Sequence, residues 1–145
     1  MRSLILLMLG IVSTMSVAQE KRSLPTVIGA SLPLYPRTSQ MAHISGVVRL
    51  RIATDGSRAS SIEVESGQPM LAQAAKENVG TWRFEQHNPT TFEAIFSYKL
   101  LRSKCDSECN CEGVEKDSVL LHLPTDIELT AKELIVCGSS AEARH

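Results

Sequence analysis

The side chains with the most chemistry in this 145-residue chain are four cysteines and four histidines. Cys105, Cys109, Cys111 and Cys137 form an even set. Thiols so placed can pair as disulfides, supply four thiolates to a tetrahedral zinc, or cycle as a Cys109–Cys111 redox pair. Structural zinc sites usually show two Cys-x-x-Cys knuckles, whereas this chain has one irregular cluster and one distant cysteine, so disulfides are the expectation. A bridge between Cys109 and Cys111 would close a very small ring, which favours a long-range bridge to Cys137 and leaves the connectivity open. His43, His87, His122 and His145 are scattered, and Gly-x-Ser-x-Gly, His-Glu-x-x-His and phosphate-cradling glycine motifs are all missing. The sequence therefore predicts no catalytic, cofactor-binding or metal-binding residues and no enzyme. The alternative is a disulfide-stabilised, secreted metal-binding or redox module.

The disulfide expectation depends on compartment, and the first residues address it. Met1 and Arg2 precede a largely apolar run over residues 4–17, and Ser16-Val17-Ala18 offers small residues at a cleavage position. The run of about 14 residues is shorter than the roughly 20 a membrane-spanning helix needs. Residues 1–18 thus read as a signal peptide, and the mature chain as periplasmic or secreted, touching the membrane only if that signal stays uncleaved. A net charge of −1 with dispersed Lys and Arg argues against nucleic acid.

The elements that must position these residues follow from periodicity. Residues 19–34, interrupted by Pro25, Gly29 and Pro33, read as a lead-in without regular structure. A short helical stretch is expected over 38–44, with Met41, Ala42 and Ile44 inward. Val48, Leu50 and Ile52 alternate with Arg49 and Arg51, Asp55-Gly56 marks a tight turn, and Ile62 and Val64 alternate with Glu63 and Glu65 on the return. The two strands read as a hairpin whose arginines and glutamates pair on a wet face. Pro69 opens a helix in which Leu71, Ala74, Ala75, Asn78, Val79 and Trp82 share one side. Trp82 is expected in the core. Phe92, Ala94, Phe96, Tyr98 and Leu100 alternate in a further strand, Val119, Leu121 and Leu123 in another, and Ile127 with Leu129 in a short continuation beyond Pro124.

The succession Tyr35-Pro36, Ala42, Gly46, Asp55-Gly56, Ser66-Gly67, Pro69, Ala74-Ala75 and Trp82-Arg83-Phe84 resembles the carboxy-terminal domain of TonB proteins. The resemblance covers residues 35–101 and leaves 102–145 as a cysteine-containing extension with one or two extra strands. It implies an α+β fold, one main helix on a small antiparallel sheet, in the periplasm. It also implies binding of an envelope protein or extended peptide, such as an outer-membrane receptor segment, by strand addition, with a link to outer-membrane transport. The candidate edge for that partner is Phe92, Ala94, Phe96 and Tyr98, or else residues 119–123. Strand exchange would allow a homodimer. Energy transducers of that family carry an anchor and a long Pro-rich spacer, whereas about 16 residues separate Ala18 from Tyr35 here. A free-standing domain is therefore expected. Glu85-Gln86-His87 stands where that family often has proline and alanine.

Overall fold

A computed structural model describes residues 23–106, 108–112 and 116–137. The signal expected over residues 1–18 lies outside them. The order is β1 (Val27–Gly29), α1 (Arg37–Met41), β2 (Gly46–Thr54), β3 (Ala59–Ser66), α2 (Pro69–Gly80), β4 (Arg83–Phe84), β5 (Thr91–Leu101), β6 (Ser118–His122) and β7 (Asp126–Lys132).

The fold is α+β, but the sheet is larger than expected and mixed. Five strands lie in the order β3-β2-β5-β7-β6, and β1 and β4 form a separate two-stranded sheet. β2 and β3 are the expected hairpin around Asp55-Gly56. Asp55 Oδ1 accepts hydrogen bonds from the backbone N–H groups of Ser57 and Arg58, each at 2.8 Å. Gly56 takes φ of +108°, and a Cβ there would stand 2.5 Å from the His87 carbonyl oxygen, so the turn requires glycine for both reasons. β5 pairs antiparallel with β2 and parallel with β7. The expected continuation beyond Pro124 is instead a reversal. A turn closed by Thr125 N–H donating to His122 C=O, with a cis Leu123–Pro124 bond inside it, sends β7 back between β5 and β6.

Alternation dictates the core. Val48, Leu50 and Ile52 of β2, Phe92, Ala94, Phe96 and Tyr98 of β5, and Ile127, Leu129 and Ala131 of β7 are all buried. The opposite face carries ion pairs: Arg49–Glu93, Arg51–Glu65 and Lys99–Glu128. The arginine–glutamate pairing expected across the hairpin is present in Arg51–Glu65. α2 covers the apolar face with Leu71, Ala72, Ala75, Asn78 and Val79. Ala72, rather than the expected Ala74, takes the close contact beside Ala75. Trp82 is 1% exposed and stacks on Phe96 at 6.3 Å.

Two expectations about the amino-terminal side change. The lead-in is part of the fold: β1 pairs with β4, Pro25 and Pro33 are buried, and Asn78 Nδ2 donates to the Ser31 carbonyl at 2.8 Å. In α1 the buried residues are Ser39 and Gln40, while Met41 and Ala42 are exposed and Ile44 is half-buried.

Candidate functional site

All four cysteines are bridged, Cys105 to Cys111 and Cys109 to Cys137, leaving no free thiol. The sequence anticipates the long-range bridge to Cys137 but not the connectivity. The bridges consume the sulfurs that a zinc site would need as thiolates, and they separate Cys109 from Cys111, so neither the metal nor the Cys109–Cys111 redox alternative fits this arrangement. Cys109–Cys137 joins the loop before β6 to the segment after β7 across 28 residues. It thereby brackets the β6–β7 hairpin. Closing a loop of that size is worth about 3 to 4 kcal/mol by loop entropy.

The first candidate edge is corrected. Phe92, Ala94, Phe96 and Tyr98 lie on β5, the central strand, with β2 on one side and β7 on the other. Their side chains are core, and from Ile95 onwards β7 occupies the side of β5 that faces away from β2. The sequence could not show this, because a strand with one buried face alternates identically at the centre and at the edge of a sheet.

The second candidate, residues 119–123, contains a real edge. β6 pairs with β7 alone among the described residues. Which of its backbone groups are free follows from the ladder. Ile95 N–H donates to Thr125 C=O and Glu133 N–H to Leu101 C=O, so odd-numbered residues of β7 point their backbone groups at β5. The even-numbered Asp126, Glu128 and Thr130 then bond to His122, Leu120 and Ser118 of β6. Asp117 Oδ1 finishes this ladder by accepting from Lys132 N–H at 3.1 Å. Val119 and Leu121 remain, each directing an N–H and a C=O off the sheet. Their side chains lie on the core face opposite Leu129 and Ile127, and Leu120 lies on the outer face opposite Glu128. Leu120 is 54% and Leu121 42% exposed. The strand is an uncharged apolar edge with open backbone.

The other edge, β3, is different. Its pairing with β2 has two register irregularities, its outer face carries Glu63 and Glu65, and its start is covered where Arg58 bridges Arg83 of β4. Bulges, charges and cover are the devices that keep an edge from pairing. Arg58 and Arg83 also line a depression with Thr81 beyond the last turn of α2, where the negative end of the helix dipole favours cations.

The structure brings together one pair that the sequence did not suggest. Thr54 Oγ1 lies 2.8 Å from His87 Nε2, and His87 Nδ1 lies 2.8 Å from the Glu85 carbonyl oxygen. The carbonyl can only accept, so the proton sits on Nδ1 and Nε2 is the atom left to bond Thr54. Thr54 is buried and also accepts from Thr90 N–H at 3.3 Å, which makes the trio a clasp between β2 and the loop before β5. No spacing signal links residues 54 and 87.

Among the described residues no group of His, Cys, Asp and Glu is arranged to hold a metal, and no helix is long and apolar enough to cross a membrane. Neither a protein-family model nor a curated protein matches the chain. Among solved structures, the chain is similar to the solution NMR structure of the Pseudomonas aeruginosa TonB CTD, with 23% sequence identity over 54% of this chain and 88% of that one, at a TM-score of 0.47.

Proposed function

We propose that this chain is a non-enzymatic periplasmic protein-binding domain that accepts an extended strand of another envelope polypeptide at β6. The observation that carries this reading is the uncharged edge on which Val119 and Leu121 hold unpaired backbone groups beside exposed Leu120 and Leu121. Strand addition uses such an edge directly: main-chain hydrogen bonds give affinity, and alternate side chains give selectivity. The landmark residues from Tyr35 to Phe84 support the envelope setting. Two disulfides and the amino-terminal apolar run support an oxidising compartment outside the cytoplasm.

The test is a backbone amide NMR titration of the disulfide-intact chain with extended apolar peptides. Shifts centred on Val119 and Leu121, lost in a Val119→Pro variant that removes one donor, are expected. Shifts confined to β3, or none with any strand-forming partner, refute the reading.

A further inference from the structure

We infer that the strand accepted by β6 is β6 of a second copy of this chain, paired antiparallel about a two-fold axis through Leu120. The inference rests on reading β6 as an accepting edge and goes further by naming what occupies it.

In a two-fold antiparallel pair one residue lies opposite itself, and residues equally spaced on either side lie opposite each other. With Leu120 at the centre, Val119 faces Leu121 of the second copy and Leu121 faces its Val119. Those are the residues whose N–H and C=O groups leave the sheet, so all their open backbone groups are used at once. Leu120 then occupies a non-hydrogen-bonded position, where opposing Cα atoms approach to about 4.5 Å and side chains touch. The exposed half of each Leu120 is covered by its copy on the outer face, and the Val119–Leu121 pairs extend the apolar face next to Leu129 and Ile127. Ser118 meets His122, and no charge meets a like charge.

Neighbouring registers lack this match. Centring on Ser118 sets Lys116 against Leu120 and Asp117 against Val119, placing two charges on apolar positions. Centring on His122 sets Pro124 against Leu120, and Pro124 lies in the turn, past the end of the strand. Centring on Val119 sets Asp117 against Leu121, and centring on Leu121 sets Val119 against Leu123, which lies in the turn past the end of β6. The Leu120 register alone pairs all five residues of β6 with one another, in a pattern symmetric in polarity, Ser118 and His122 at the ends and apolar residues between. A foreign peptide has no reason to share that symmetry, whereas every copy does.

The experiment uses the full exported chain with its native disulfides. Sedimentation equilibrium should show a concentration-dependent dimer, and Leu120→Lys, a change at an exposed position, should raise the dimer dissociation constant at least tenfold while circular dichroism stays the same. Under mild oxidation Leu120→Cys should cross-link to itself, because about 4.5 Å between Cα atoms suits a disulfide. Leu121→Cys should not, since two copies of that residue would lie roughly 8 Å apart, beyond disulfide reach. A wild-type monomer at high concentration with no Leu120→Cys cross-link overturns the inference. If that monomer still shows Val119 and Leu121 amide shifts with an extended peptide, the accepting edge stands and only its occupant is wrong. If those amides are instead protected from exchange in a monomer, residues of the same chain cover the edge, and both readings fail.

Discussion

Asn78 provides the sharpest test of how this core is held. It lies on the buried face of α2, and its amide works in two directions: Oδ1 accepts from Trp82 Nε1 at 3.0 Å, and Nδ2 donates to the Ser31 carbonyl at 2.8 Å. Asn78→Ala leaves the indole N–H of a residue that is 1% exposed without an acceptor. A buried unsatisfied donor costs about 1 to 3 kcal/mol, and the lost bond to Ser31 adds about 0.5 to 1.5 kcal/mol. The sum is about 1.5 to 4.5 kcal/mol, a large part of the roughly 5 to 15 kcal/mol by which a domain is stable. Urea unfolding of wild type, Asn78→Ala, Trp82→Phe and the double variant separates the terms, because Trp82→Phe removes the donor that Asn78→Ala would orphan. The double variant should be less destabilised than the sum of the singles by about 1 to 2 kcal/mol. A loss under about 0.5 kcal/mol for Asn78→Ala, or additivity within that figure, would refute the account of Asn78 as the partner of Trp82.

Three further outcomes are expected. Replacing Cys109 and Cys137 together by serine should lower stability by about 3 to 4 kcal/mol, read as a fall in the denaturation midpoint with Cys105–Cys111 retained. Ser39→Ala should raise the melting temperature, since the Ser39 hydroxyl is fully buried without a protein partner, and removing it relieves about 1 kcal/mol or more of desolvation. Burial, and then the charge of neighbouring Tyr35, raises the Tyr98 phenol above the ordinary tyrosine range. A group raised on folding contributes stability that is present below its unfolded value, about pH 10, and is lost as pH rises through its folded value. Alkaline unfolding followed by circular dichroism should therefore start at higher pH in Tyr98→Phe. An unchanged onset would exclude Tyr98 as the alkaline trigger.

Much of this fold is legible along the chain, and the reason differs by element. The β2–β3 hairpin, α2 and β5 declare themselves because each has one buried and one wet face, and Asp55-Gly56 and Pro69 mark where the period changes. Trp82 is legible as core by the same register. What alternation does not encode is which strand lies beside which. β5 reads the same with or without β7 against it, so the edge assigned to Phe92, Ala94, Phe96 and Tyr98 fails although the strand itself is present. β7 is read as a continuation because the reversal depends on a turn around Pro124, and a proline signals a bend without giving its direction. β1 is missed for another reason. Its three residues pair through backbone groups, while Ile28 is 67% exposed, so no periodic side-chain signal exists to read. The edge at residues 119–123 is legible as apolar, but its open backbone groups emerge only from the ladder.

The residues beyond Leu101 act on the sheet in two opposite ways: they cover one side of β5 and leave β6 as an edge. β7 lies along β5 in parallel, occupying the side on which a peptide would otherwise add a strand, and it buries Ile127 and Leu129 to 1% exposure each. Re-exposing two such side chains costs about 3 to 6 kcal/mol before any ladder bonds are counted. A peptide binding at micromolar strength has about 8 kcal/mol in total, so displacing β7 would absorb most of it. The Cys109–Cys137 bridge adds to this, because a displaced hairpin would stay tethered at both ends and compete for its former place. The same hairpin presents β6, a shorter, uncharged edge on which Val119 and Leu121 hold open backbone groups. On the function proposed above, the accepting edge is therefore β6 and not β5. If a second copy is the occupant, as inferred above, Leu120 rather than any residue of β5 is the position at which to probe it.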